Sequence, residues 1–509
     1  MQWRQMCGGL LLVAGVSGCT VGPNYHLPSV PVPDAWSEAS THAVREAVTA
    51  QWWTTFKDPL LDSLIARAVQ ANRDLRTAEA RVREARALRG VAVGGLGPTI
   101  NVSGSYTRQR FSENALTLPS GTGSNSTSSG GVSSFKPEQD LFQTGFDARW
   151  EIDLFGGVRR SIEAASADLA ASQEGLRDTL VSVLAEVVRN YVEVRGLQRR
   201  LAIAQENIKA QQDTLEITRA RFDAGLTSEL DVTQAASQLA TTQAQIPSLE
   251  TSLKQGIHRL GVLIGQAPGA LLAELSTAAP IPTAPPEVLV GLPAELLRRR
   301  PDVRRAERQL AAATARIGVA TADLYPKLSL TGSLGLESVK LTDLFTPASR
   351  FWSLGPTLRW PIFDAGRIRA NIAVQDARTE QQLSTYEQTV LTALEEVENA
   401  LVAYSREQTR RVQLADAVAA NQQAVALANE LYRAGLGTFL NVLDSERALF
   451  ASQSDLAQSE ATISTDMVAL YKALGGGWET LAPTPEGQNT QAVAYKKASG
   501  GNLPWGRRQ

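Results

Sequence analysis

The sequence predicts a mainly α-helical protein with a transmembrane β-barrel, assembled from an internally duplicated protomer. Three observations carry that expectation. The chain repeats itself at a fixed offset, and it holds proline-free helical runs far too long for a compact globule. It also contains four segments of about ten residues that alternate apolar with polar side chains.

The N-terminus comes first. "MQWRQMCGGLLLVAGVSGC" has an early Arg4, a short apolar run and small residues before Cys19. That is the layout of a secretory signal, and it is too short for a spanning helix. Residues 1–18 are therefore read as a signal peptide. Val16-Ser17-Gly18-Cys19 matches a bacterial lipobox, which makes Cys19 the expected lipidation site; plain signal-peptidase cleavage is the alternative. Apart from Cys7 there is no other cysteine, so disulfides play no part in the expected mature fold. An acyl chain anchors a protein to a bilayer without making it span. Residues 19–59 follow as a lipidated N-terminal segment.

The duplication organises the rest. "RWEIDLFGGVRR" (149–160) aligns with "RWPIFDAGRIRA" (359–370), an offset of 210. The same offset joins Ala224-Gly225-Leu226 to Ala434-Gly435-Leu436 and Gly265 to Gly475. Upstream the offset is 228, pairing Gly90-Val91-Ala92 with Gly318-Val319-Ala320 and Pro98 with Pro326. The 18-residue difference is extra material between 107 and 147 of the first copy. The repeats span 60–265 and 294–475. A Pro-rich connection, 266–293, joins them, and a polar tail, 476–509, is expected to be partly disordered.

Each copy has the same grammar. A helix (60–93 or 294–324) stops before a proline, because the residue ahead of proline disfavours the helical conformation. Two strands follow, 98–110 and 141–152 in the first copy, 326–337 and 351–362 in the second. Then come a long helix (156–224 or 366–434), a tight turn, and a second helix (228–265 or 438–474). No proline interrupts either long helix. At about 1.5 Å per residue each is a rod of roughly 100 Å. Leu383, Tyr386, Val390, Leu394, Val397, Leu401 and Tyr404 step by threes and fours, the seam of a coiled coil. Such rods must pack laterally against one another.

The strands carry the membrane signal. In "FQTGFDARWEI", Phe142, Phe146, Ala148, Trp150 and Ile152 share one face, with Gln143, Asp147, Arg149 and Glu151 on the other. The other three segments alternate likewise, as barrel strands with a lipid face and a polar lumen do. Trp150 and Trp360 sit where strand gives way to helix and suit the membrane interface. Four strands cannot close a barrel, and open edges cannot face lipid. Several protomers must contribute, and three would supply twelve strands. The Ser/Gly-rich tract 111–140 would be the extracellular hairpin of the first copy.

Composition narrows the function. Fifty basic residues stand against 52 acidic ones, which gives no electrostatic case for nucleic acid. The three histidines are scattered, so no metal spacing exists, and no Gly-rich phosphate loop with its lysine is present. No constellation suggests an enzyme, and no cofactor is expected beyond a covalent lipid on Cys19.

Taken together, the lipobox, "QWWTTFKDPLLDSLIARAVQANRDLRTAEARVREARA" (51–87), "LLRRRPDVRRAERQLAAATARIGVA" (296–320), "YPKLSLTGSLG" (325–335) and "YKALGGGW" (471–478) resemble the TolC-like outer-membrane factors of tripartite efflux systems. The closest resemblance is to their lipoprotein, NodT-type branch. It implies a homotrimer with a twelve-stranded outer-membrane barrel continued by a periplasmic helical barrel. It also implies passive conduction of small molecules from an inner-membrane pump of the resistance-nodulation-division (RND) type and a periplasmic adaptor. The equatorial region would come from the N-terminal segment, 266–293 and the tail.

The resemblance assigns roles to residues. Gly225-Leu226-Thr227 and Gly435-Leu436-Gly437 are the hairpin tips that would meet the adaptor, although Gly437 departs from the usual hydroxyl. Ser228 or Thr438 could cap the helix that follows. Leu440, Asp444 and Arg447 share one helix face and are the expected gate residues; the resemblance places Leu440 and Asp444 at a narrowing of the channel. Their first-copy counterparts, Leu230, Gln234 and Ser237, carry no charge. Tyr432 and Arg433 match positions that tie neighbouring helices in a closed state. A type I protein-secretion channel is the nearest functional alternative, and a non-channel periplasmic adaptor or scaffold is the alternative of another class.

Overall fold

The computed structural model describes residues 20–37, 43–44, 50–110, 112, 138–284, 288–289 and 293–480. The signal peptide, Cys19, the tail beyond 480 and most of the 111–140 tract lie outside the described residues. The principal helices are α1 (Pro59–Ala71), α2 (Arg73–Gly94), α3 (Gly157–Asp223) and α4 (Glu229–Leu263) in the first copy. In the second they are α5 (Pro293–Arg299), α6 (Pro301–Ala322), α7 (Arg367–Arg433) and α8 (Phe439–Ala473). The principal strands are β1 (Thr99–Arg110), β2 (Glu138–Ile152), β3 (Lys327–Ser338) and β4 (Arg350–Arg359).

Two elements differ from the sequence expectation. The single helices expected over 60–93 and 294–324 are each broken, at Asn72 and at Arg300. Asn72 leaves the helical region at ψ 136°, and its side chain accepts from the amides of Asp74 and Leu75, capping α2. Arg300 is extended because Pro301 follows it. The breaks are equivalent under the 228 offset, and so are their contacts. Asn72 Nδ2 donates to the Leu263 carbonyl at 2.8 Å, and Arg300 Nη1 to the Ala473 carbonyl at 2.9 Å. Each kink therefore fastens the far end of its own copy's second helix.

The strands form one antiparallel meander, β1-β2-β3-β4. β2 starts at Glu138, earlier than the expected 141, and β4 ends at Arg359, so Trp360 and Ile362 lie just past it. Thr99 pairs with Arg149 and Lys327 with Arg359. Adding 228 to 99 and 210 to 149 gives 327 and 359, so both hairpins have the same register. β1 and β4 are the sheet's open edges.

α3 and α7 each run 67 residues, roughly 100 Å. α4 folds back on α3 and α8 on α7, and α3 also packs on α8. The main core sits midway, where Trp52, Leu61 and Leu64 of the N-terminal part and Leu271 and Leu275 of the connection pack on Leu184, Tyr191, Val397 and Met467. Trp52 stacks on Tyr471 at 5.3 Å. Each such side chain contributes roughly 1.5–3 kcal/mol by leaving water. The predicted seam holds, with Tyr386, Val390, Val397, Leu401 and Tyr404 all buried.

Candidate functional site

The hairpin tips are two copies of one turn. Gly225 (φ 72°) and Gly435 (φ 74°) adopt the left-handed conformation that ends the preceding helix. Leu226 N donates to Arg221 O at 2.8 Å and Leu436 N to Leu431 O at 2.9 Å, which satisfies carbonyls that the helix end leaves free. Leu226 and Leu436 are 65% and 79% exposed, so each tip presents an uncovered apolar side chain. Neither Ser228 nor Thr438 makes the expected side-chain cap. Instead, Thr227 Oγ1 donates to the Asp231 carboxylate, an arrangement that Gly437 cannot reproduce.

Beyond the second tip, Leu440 and Asp444 lie exposed on one face of α8, and Asp444 has no hydrogen-bond or ionic partner among the described residues. Arg447 shares that face, but its Nε donates to Gln238 Oε1 at 2.6 Å, which commits it to the contact with α4. Tyr432 is buried. Its ring lies edge-on to Phe439 at 5.7 Å and under the Arg221 guanidinium at 4.7 Å. Arg433 contributes its backbone: Arg221 Nη1 donates to the Arg433 carbonyl at 3.1 Å. Leu215, Ala235, Val442 and Leu443 complete this small apolar cluster between the two hairpins.

Three partners escaped the sequence reading: Arg221, Gln238 and Glu446. Glu446 is buried, accepts from Thr214 Oγ1 at 2.8 Å, and has its pKa raised by burial. The sequence did hold a signal for it. Phe439, Val442, Leu443 and Glu446 step by threes and fours, which puts a carboxylate on the core-facing stripe.

At the opposite end the sheet exposes its apolar face. Val102, Trp352, Leu354 and Leu358 are between 65% and 77% exposed, the pattern of a lipid-facing surface. Among the described residues no helix is long and apolar enough to cross a membrane. The two junction tryptophans are equivalent struts. Trp150 Nε1 donates to the Leu96 carbonyl at 2.8 Å and Trp360 Nε1 to the Leu324 carbonyl at 3.0 Å. Each ties a strand end to the C-terminal end of the helix that precedes its hairpin, while part of the indole stays exposed.

An open four-stranded apolar sheet joined to rods of this length defines one protomer of an outer-membrane channel. The chain belongs to the outer membrane efflux protein family, which matches residues 64–266 and 292–476. It is 33% identical over 471 residues to Nodulation protein T of Rhizobium leguminosarum bv. trifolii, covering 92% of this chain and 96% of that one. It is 31% identical over 486 residues to the toluene efflux pump outer membrane protein TtgF of Pseudomonas putida, covering 94% and 98%. The solved outer-membrane channel OprN superposes with a TM-score of 0.83 at 38% identity, covering 90% of this chain and all of that one. The protomer thus gives four strands to a trimeric twelve-stranded barrel continued by a helical barrel, and the protein is an efflux exit channel in the outer membrane that extends into the periplasm.

Proposed function

We propose that this channel is the passive outer duct of a tripartite pump, fed by an RND-type inner-membrane transporter through a periplasmic adaptor, and that its entrance is gated by Leu440 and Asp444. One observation carries the gate: an apolar and an acidic side chain, four residues apart, lie exposed and unpartnered on α8 beside the tip. Three-fold symmetry turns them into two rings. Three like charges converging on an axis repel, so the closed tip depends on compensating contacts such as the packing around Tyr432. The adaptor meets Gly225-Leu226-Thr227 and Gly435-Leu436-Gly437, where the exposed leucines offer apolar surface. It opens the α7–α8 pairs outward only so far as it binds the open state better. A lipid on Cys19 anchors the N-terminal segment to the inner leaflet of the outer membrane.

Single-channel conductance of the purified protein in planar bilayers tests the gate. Leu440→Ala with Asp444→Ala should raise conductance and antibiotic leakage. Wild-type values for both would sink the assignment.

A further inference from the structure

The connection between the two repeats roofs a cavity, and we propose that this cavity binds a small amphiphile bearing a single carboxylate. The roof follows from its sequence. Pro280 and Pro282 have no backbone N–H to donate, so this stretch resists both helix formation and strand pairing. Side chains of the rods hold its carbonyls instead. Gln198 Nε2 donates to the Leu275 carbonyl at 2.7 Å, and Arg195 Nη1 to the Thr277 carbonyl at 2.9 Å. At the other end Ser464 Oγ donates to the Pro282 carbonyl at 2.6 Å. Between these fastenings, residues 278–281 bridge α3, α7 and α8, and a cavity of about 720 Å³ lies between them and the helices.

That volume suits a drug-sized ligand. Ala202, Ala279, Pro280, Ile281, Ala284 and Ile463 give the cavity an apolar lining, and the short alanine side chains leave its space unfilled. Its rim is charged. Arg199 of α3 and Arg411 of α7 border it as exposed side chains, with Glu460 of α8 beside them. None of the three has a hydrogen-bond or ionic partner among the described residues. Other arginines of the middle region are engaged: Arg195 on Thr277, Arg300 on Glu396, Arg304 on Glu174 and Arg305 on Asp178. Two cations against one anion leave one positive charge unmet. A guanidinium meets a carboxylate with two parallel hydrogen bonds, which is why the ligand's charged group is assigned as one carboxylate.

The duplication does not explain these arginines. At the 210 offset Gln198 corresponds to Gln408 and Glu460 to Glu250, so those residues belong to the shared helix pattern. Arg199 corresponds to Thr409 and Arg411 to Leu201, so neither cation is repeated. Both stand only where the connection roofs the cavity. Arg199 lies roughly 60 Å along α3 from the helix's barrel end. The ligand therefore arrives from the periplasm and not from the bilayer.

Thiol protection in the full-length protein, reconstituted in nanodiscs of zwitterionic lipid, tests the site with laurate as the probe. Thr283→Cys places an exposed thiol on the cavity lining, and mass spectrometry of its peptide gives the rate of alkylation by a maleimide. Laurate below its micelle-forming concentration should slow that rate severalfold and saturably. Dodecyltrimethylammonium, with the same chain length and the opposite charge, should leave it unchanged. Adding Arg199→Gln and Arg411→Gln should weaken laurate protection by roughly tenfold or more, as loss of a charged hydrogen bond does. Both side chains are exposed, so these variants fold as the native protein does. Ala202→Leu fills the cavity and should abolish the difference that laurate makes. Alkylation unaffected by laurate would overturn the proposal. So would equal protection by the cationic amphiphile, or protection that survives the paired arginine substitutions at full strength.

Discussion

Tyr432 distinguishes two accounts of how the tip stays closed. If its hydroxyl ties neighbouring helices, Tyr432→Phe should open the channel. The structure argues for the ring instead. The hydroxyl is buried with no hydrogen-bond partner, so a neighbouring protomer cannot reach it, while the ring packs on Phe439 and under Arg221. Removing an unpaired buried hydroxyl should be neutral or stabilise the tip by about 1 kcal/mol. Tyr432→Ala deletes the ring and costs roughly 3–5 kcal/mol, as other buried aromatic truncations do. At about 1.4 kcal/mol per factor of ten, local opening should rise by roughly two to three and a half powers of ten. Hydrogen exchange of amides in 428–446 reads that opening directly. Protection should collapse in the alanine variant and persist in the phenylalanine variant, and conductance should follow the same order. Equal loss of protection in both variants would refute the ring account.

Three further outcomes follow from single contacts. Trp150→Phe and Trp360→Phe each remove one indole-to-carbonyl bond, about 1 kcal/mol, and should lower the temperature at which the trimer dissociates in detergent without abolishing assembly. Gly225→Ala and Gly435→Ala meet no steric obstacle, since a Cβ there finds nothing within 4 Å. They should still cost about 1–2 kcal/mol of left-handed strain, visible as faster exchange at the tips with unchanged overall helicity. Asp466 is pushed up to about 6 by burial and by the nearby Glu407. Its folded value lies above the unfolded one, so the stability it lends is present below about pH 4 and is lost as pH rises through 6. Asp466→Asn should therefore raise the melting temperature near neutrality and reduce the gain on acidification.

Periodicity made the rods, the strands and their faces legible, because 3.6-residue and two-residue alternations need only the chain itself. The shared hairpin register was already implicit in the two offsets. The kink at Arg300 was readable from Pro301, whereas that at Asn72 depends on a side-chain cap competing with the helix and on a carbonyl 191 positions away. Arg447 illustrates the limit. Its place on the face of Leu440 and Asp444 was correct, but its bond to Gln238 crosses between hairpins that no local pattern relates. The same holds for Arg221 over Tyr432.

Some contacts obey the offsets and others break them. The tryptophan struts, hairpin registers and helix-kink bonds are repeated, and they hold the barrel and the middle together. Three unrepeated ones, Arg221 on Tyr432, Arg447 on Gln238 and Thr214 on Glu446, lie toward the tip on the seam between the two hairpins of one protomer. Glu446 makes that seam conditional. Burial raises its pKa, and the Thr214 hydroxyl donates a hydrogen bond to it. Above the ordinary glutamate range the closed seam must either hold a poorly solvated carboxylate or take up a proton, and acidification relieves that cost. The closed state should therefore gain stability as pH falls toward the ordinary glutamate range and lose it as pH rises through the elevated folded value. Glu446→Gln keeps the shape and discards the charge. It should hold the tip more firmly closed at pH 7.5, lowering open probability and slowing exchange in 428–446, and the difference from the native protein should shrink on acidification. A variant whose opening matches the native protein across that pH range would show that Glu446 is only a packed side chain.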